Sequence, residues 1–448
     1  MRMEREARGN VARPLPEDNV WTRFVFVDHA GIPKCKAVYR DGFEGMTRAG
    51  VGLAKGVLAL DPSGALQPAS GLSPVGECRL VPDISTLTRL PFARGQAMVL
   101  CDMMEPDAVT PWDGCPRGAL KRVLGRLAAQ GYRSVASYEV EFYVWDLDGP
   151  LDRTPYAGSY ALTAAAEFVA ELAETLEEMG IPPEQCHAEV GHGNLELSVG
   201  EAEALAAADR RVMVLEAIRG VAYRMGLGIT MAPKPLLDQA GNGHHLHVSL
   251  YASEDDAPAL FDVSGALSDS GLGFVAGVLD HLPAIMAFTA ASPNSYQRLA
   301  PGMWSSAYAC YGLDNREAAV RLASPVAGKE SATANVEIKP VDVTANPYLA
   351  LAAVLVAGMD GMERSLDPGD PITVDPATLS EEERASLGIR PLPASLDESL
   401  DALERDPVLT EALGEPLVRA HLAVGRAQAA MAKDLSPEEV AAAAAMIY

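Results

Sequence analysis

Between Val135 and Trp145 the chain reads VASYEVEFYVW. As a strand, this stretch separates its two faces. Ala136, Tyr138, Val140, Phe142 and Val144 point one way; Ser137, Glu139 and Glu141 point the other. Carboxylates at i and i+2 on one strand face repel each other, and away from water each is costly to keep ionised. A cation held between them answers both problems, and a solvated polar face is the alternative for this strand alone. The pattern then recurs. Asn194–Ser198 places Asn194, Glu196 and Ser198 on one face, His245–Ser249 places His245, His247 and Ser249 there, and Asn335–Lys339 repeats it around Glu337. With Glu189 just ahead of the second strand, five glutamates and two histidines become candidate ligands. Oxygen donors with one or two imidazoles point to magnesium or manganese, not zinc.

The same periodicity organises the rest. Trp21–Asp28 and Lys34–Arg40 predict two strands joined by a turn at His29–Ile32, and strand-like segments continue to Asp102. This predicts a flexible N-terminus over residues 1–16 and a small β-rich domain over 17–106. Glu105–Pro116, rich in proline and acidic residues, marks the boundary, and a larger domain fills 107–448. Helices are expected from Arg117 to Gln130 and over Thr163–Met179, Glu203–Met225 and Pro437–Tyr448, with a surface excursion over Arg364–Pro393. No apolar run reaches membrane-spanning length.

Composition narrows the function classes. The 448 residues carry a formal charge of -25 with no basic run, which argues against nucleic acid or an anionic membrane as partner. Six cysteines without a C-x-x-C spacing read as reduced thiols of a cytoplasmic protein. The G-x-x-x-x-G-K-[ST], H-E-x-x-H and G-x-S-x-G motifs are missing. A nucleotide here would therefore need metals and arginines to hold its phosphates. Arg316 and Arg321 fit that need, and with the carboxylates and imidazoles they favour metal-assisted phosphoryl transfer.

With these motifs in hand, the chain resembles the type I glutamine synthetases and their amine-ligase relatives from about Trp21 onward. The resemblance rests on ordered motifs: Asp28-His-Ala-Gly; Glu139-Val-Glu141; Glu189-Val-Gly-His-Gly-Asn-Leu-Glu196; Gly241-Asn-Gly-His-His245-Leu-His247-Val-Ser249; Asn294-Ser-Tyr-Gln-Arg298-Leu-Ala-Pro-Gly; Asn315-Arg316; Val336-Glu337; and Asn346-Pro-Tyr-Leu-Ala. It implies an α+β fold, with an N-terminal β-grasp domain and a catalytic domain built on a curved antiparallel sheet that carries the metal site. It also implies a dodecamer of two stacked six-membered rings, with each site completed by Asp28 of a neighbouring subunit.

Residue by residue, the resemblance assigns one metal to Glu141, Glu189 and Glu196, and a second to Glu139, His245 and Glu337, with two or three magnesium or manganese ions per site. His247, Ser249 and Asn335 would lie by ATP, Arg316 and Arg321 by its phosphates, and Arg298, Gly241 and Lys339 by glutamate or a related acid. Tyr160 would line the amine pocket, and Asp28 would be the general base. The remaining histidines, His187 among them, are expected to be structural. The implied reaction joins a carboxylate to an amine through an acyl phosphate, with ATP consumed.

Four departures cluster around the substrates. Where the family's flap carries a glutamate that captures ammonium, this chain has Trp304. Ala240 and Lys339 stand where an asparagine and an arginine contact the amino acid, and Asn335 where an arginine approaches ATP. The Trp-bearing flap is similar to that of FluG-like proteins and γ-glutamyl amine ligases for ethanolamine, polyamines, isopropylamine and anilines. An organic amine, small or aromatic, is therefore favoured over ammonia. An ordinary glutamine synthetase and a catalytically silent regulatory ring are the alternatives.

Overall fold

The computed structural model describes residues 15–448, so residues 1–14 of the expected flexible N-terminus lie outside the described residues. The first domain is a six-stranded mixed sheet. Trp21–Val27 is flanked antiparallel by Pro33–Tyr39 and parallel by Gln96–Met104, and Glu77–Pro82 and Val51–Ala54 extend the sheet beyond the latter. One amphipathic helix, Arg40–Ala49, accompanies it. Phe24, Phe26, Leu80, Val99 and Met103 form the core of this layer.

The second domain is built on an eleven-stranded sheet. Its spine runs, strand by neighbouring strand, through Arg390–Pro391, Tyr308–Leu313, Ala318–Ala323, Asn335–Ile338, Leu246–Ala252, Tyr132–Asp146, Asn194–Val199 and Pro183–Ala188. All pairs on this path are antiparallel except Tyr308–Leu313 with Ala318–Ala323. The longest strand, Tyr132–Asp146, sits at its centre, and its apolar face is buried as the alternation requires. Behind that face lie the helices Pro116–Ala129, Ala204–Met225 and Pro347–Glu363. The sheet's other face carries the polar positions and stays open as a cleft.

Three local expectations are revised. The helix expected over Thr163–Met179 is two helices, Ser159–Ala164 and Ala166–Glu178, separated at Ala165. The excursion over Arg364–Pro393 returns to the sheet, where Arg390–Pro391 pairs with Tyr308 and Ala309. One helix, Asp269–Thr289, is long and apolar enough to cross a bilayer by length and composition. Its most apolar window is 78% buried inside the fold, against Pro347–Glu363. Glycines permit that contact: a Cβ on Gly361 would meet Gly273 O at 2.1 Å, and one on Gly277 would meet Ala357 O at 2.2 Å.

Because backbone faces backbone across this seam, Gly361→Val has no flexible neighbour to displace. It is expected to destabilise the fold by about 1–3 kcal/mol or more. A fall in the thermal unfolding midpoint, or loss of soluble protein, would show it; an unchanged midpoint would refute the close approach.

Candidate active site

Strand register gathers the site. Glu196 is the cross-strand partner of both Glu141 and His187, so these three side chains share one rung of the sheet. His247 partners both Ser137 and Glu337, and Glu337 partners Arg321, forming a second rung. Glu139 lies on the same face of the central strand, between Ser137 and Glu141. Alternation thus puts every one of these polar side chains on one face, as the sequence pattern predicts.

The side chains converge closely. His245 Nδ1 lies 3.1 Å from Glu139 Oε2 and 3.3 Å from Glu337 Oε1, and His247 Nε2 lies 3.2 Å from Glu139 Oε1. Arg321 Nε pairs with Glu337 Oε2 at 2.9 Å, and the buried Lys339 Nζ reaches Glu337 Oε1 at 3.5 Å. The Gly243 N–H donates to Glu141 Oε2 at 2.9 Å. His187 Nε2 lies 3.2 Å from Glu189 Oε1, and its Nδ1 4.0 Å from Glu196 Oε1. Two groups have ligand atoms all within 4.8 Å of one another: Glu139, His247 and Glu337, and His187, Glu189 and Glu196.

Electrostatics divide the cluster. Burial, and then the neighbouring Glu189, push Glu141 up to about 8. Burial, with Glu139, Glu141, Glu189 and Glu337 around it, pushes Glu196 up to about 10. Burial and the Lys339 charge hold His245 down at about 4, so its imidazole is neutral and its lone pair is available. Glu139 and Glu337 go the other way. Burial opposes their ionisation, but His247 beside Glu139 and Lys339 beside Glu337 prevail, and Glu337 sits at about 2. His247 rises to about 9 because Glu139 outweighs its burial. Carboxylates that resist ionisation beside a neutral imidazole are a donor set that fits divalent cations, whose charge would offset the repulsion.

The cleft, about 550 Å³, is lined by most of the expected site residues: Glu139, Glu141, Glu189, Glu196, Gly241, His245, Arg298, Trp304, Arg316, Arg321 and Lys339. Gly241 is required by close approach, since a Cβ there would meet Pro233 O at 2.4 Å and Arg298 Cγ at 2.6 Å. Arg298 is buried, donates from Nη2 to the carbonyls of Lys339 and Val341, and leaves Nε without a partner. Beyond the cleft wall, Asn335 Oδ1 accepts from His247 Nδ1 (2.8 Å), and Ser249 Oγ donates to Ala334 O.

Two expected residues lie elsewhere in the chain. Tyr160 does not line the cleft: it is 65% exposed on the helix Ser159–Ala164. Tyr156, four residues earlier, lines the cleft, its ring edge-on to Trp304 at 5.9 Å and to His187 at 5.8 Å. Asp28 is buried within its own turn, where Oδ1 accepts from the Ala30 and Ile32 N–H groups and Oδ2 pairs with Lys34 at 2.7 Å. Among the residues the sequence reading passed over, His187 belongs to the site. Its strand, Pro183–Ala188, reads PEQCHA and lacks the apolar alternation that marks the others.

Comparison with known proteins agrees with this geometry. A family model described as "Glutamine synthetase, catalytic domain" matches residues 113–442, and one described as "Glutamine synthetase N-terminal domain" matches 15–117. The chain is 37% identical over 427 residues to a gamma-glutamylpolyamine synthetase GlnA3 of Streptomyces coelicolor, covering 93% of this chain and 91% of that protein. It is 39% identical over 310 residues to a glutamine synthetase of Pyrococcus woesei, covering 68% and 69%. Among solved structures it is similar to a "novel glutamine synthase homolog", with a TM-score of 0.86 at 35% identity over 96% of this chain and 99% of that one. A GmaS/ADP complex gives 0.83 at 29% identity over 95% and 96%.

The raised acids set a pH prediction. Between about pH 4.5 and 8 the unfolded chain releases protons that native Glu141 and Glu196 retain. Up to about pH 6.5 the buried neutral histidines His29, His244, His245 and His421 oppose this trend, so metal-free stability should fall as pH rises from about 6.5 to 8, and saturating Mg²⁺ or Mn²⁺ should flatten the fall. Calorimetric titration at pH 7 in buffers of different ionisation enthalpy should show about one to two protons released per site on metal binding. Binding with no proton release would contradict the raised values.

Proposed function

We propose, for a chain that belongs to the glutamine synthetase family of ATP-dependent, amide-forming ligases, that the amine joined to glutamate is an organic one and not ammonia. The observation that carries this is the cleft wall formed by Trp304 and Tyr156, edge to face at 5.9 Å. Trp304 occupies the flap position at which the family resemblance places an ammonium-capturing glutamate. An inorganic ammonium must be stripped of water and repaid by anions. An organic ammonium can instead lay its carbon skeleton on aromatic faces and gain from their quadrupoles.

In this reading Glu141, Glu189 and Glu196 hold one cation, and Glu139, His245 and Glu337 a second, with His187 and His247 at the margins. Two or three magnesium or manganese ions held by these residues would supply positive charge to offset that of the phosphates. Arg316 and Arg321 face the ATP phosphates, and His247, Asn335 and Ser249 lie on the nucleotide side. Arg298, Gly241 and Lys339 hold the acid. The γ-carboxylate of glutamate attacks the terminal phosphorus and ADP leaves. The neutral amine then attacks the acyl carbon, phosphate departs, and the amine's proton passes to a base. Asp28 is assigned that role as part of a neighbouring subunit in a dodecamer of two hexameric rings. For that role its turn must open, since in this chain the carboxylate is buried, paired with Lys34 and engaged by the Ala30 and Ile32 N–H groups.

The cleft shared by Trp304 and Tyr156 also contains Val190 and Met303, which favours a small or aromatic monoamine. A polyamine is the second reading, supported by the activity named for the Streptomyces coelicolor relative. A silent ring is disfavoured by the connected carboxylate–imidazole cluster, which has no packing role.

The test is phosphate release from ATP, Mg²⁺ and glutamate across ammonium, ethanolamine, short alkylamines, polyamines and aniline, with the amide identified by mass spectrometry. Release that depends on an organic amine and exceeds that with ammonium is expected, and Glu139→Ala should abolish it. Trp304→Glu should shift the kcat/KM ratio towards ammonium by about tenfold or more. Ammonium as the best amine in the unaltered protein would overturn the proposal.

A further inference from the structure

The flap carrying Trp304 has an unusual backbone. Trp304 itself adopts φ +55°, a left-handed conformation that bulky side chains disfavour, and Gly302 adopts φ +74° two residues before it. A turn of this kind directs backbone N–H groups to one side and forms a concavity suited to an anion. The anion present is Glu317. Its Oε1 accepts the Trp304 N–H at 2.8 Å, the side chain is only 6% exposed, and Oε2 has no hydrogen-bond partner.

Glu317 is itself held from behind. Its N–H donates to Asn315 Oδ1 at 3.1 Å, and Asn315 Nδ2 donates to the carbonyls of Ile372 and Val374. Between them, Arg316 sets its guanidinium carbon 5.8 Å from the centre of the Trp304 ring. Adjacent residues therefore grip one tryptophan twice, Arg316 at the indole and Glu317 at the backbone. We propose that Glu317 is a positioning residue for amine specificity: its carboxylate binds the flap backbone and fixes the Trp304 indole on the cleft wall. Burial outweighs the Trp304 and Gly302 N–H groups, so the Glu317 pKa is raised.

The kinetic arm of the test rests on the organic-amine reading; the exchange arm does not. Hydrogen–deuterium exchange of the flap, residues 301–306, is followed by mass spectrometry in the full-length protein, Glu317→Gln and Glu317→Ala. Loss of a charge-assisted hydrogen bond should speed exchange about tenfold or more in Glu317→Ala, with the isosteric Glu317→Gln between it and the parent. Kinetics with the preferred amine should show its KM raised about tenfold, with the KM for ATP and glutamate within about twofold of the parent. In a Trp304→Ala background the Glu317 substitution should add nothing further. Unchanged flap exchange, or an amine KM penalty that adds in full to Trp304→Ala, would overturn the proposal. Should no organic amine support turnover, the proposed function fails, and the exchange result alone decides whether Glu317 holds the flap.

Discussion

Repulsion among carboxylates on one face of one sheet is the constraint around which the second domain is arranged. Glu139 and Glu141 lie two residues apart on the central strand, and the register sets Glu196 directly across from Glu141. Packing alone would not retain such a face. The apolar half of each strand explains why it persists: Tyr138, Val140, Phe142 and their neighbours seal the sheet against three helices, so the polar half has no way to turn inward. The strain is met unevenly. On the Glu337 side His247, Arg321 and Lys339 supply positive charge, whereas Glu141 and Glu196 are left facing other acids. The site is thus polarised before any ligand enters, with its cation demand concentrated at one end.

The four sequence departures are spread along the cleft, and two of them, Lys339 and Asn335, lie within the charge cluster itself. Lys339 has been drawn into the carboxylate cluster at Glu337. Ala240 now offers only its carbonyl, which accepts the Tyr143 hydroxyl at 2.7 Å. Trp304 and Tyr156 together turn a wall that could have been anionic into an aromatic one. The cation-demanding side chains thus lie on the sheet, and the aromatic pair on a flap and a loop.

What could be read from the sequence follows the same division. Strands with strict alternation, such as Tyr132–Asp146 and Asn194–Val199, announced both the core and the candidate ligands, because a period of two fixes the face of every side chain. Pro183–Ala188 gave no such signal, so His187 was passed over although its register partner Glu196 was not. A motif match at Tyr160 does not say where a loop ends and a helix begins; Ser159–Ala164 carries Tyr160 outward. The role of Glu317 was equally hidden, since it depends on the dihedral angles of a flap thirteen residues away.

The glycine seam between Asp269–Thr289 and Pro347–Glu363 bears on how the chain is made. The first of these helices is apolar enough to suit a bilayer, and its cover is encoded well downstream of it. At ordinary rates of synthesis several seconds separate its emergence from the ribosome and that of its partner. During that interval this part of its surface lacks the partner helix that covers it in the fold. The second helix, closing glycine to glycine, completes the burial of that surface only after the chain between the two has been made.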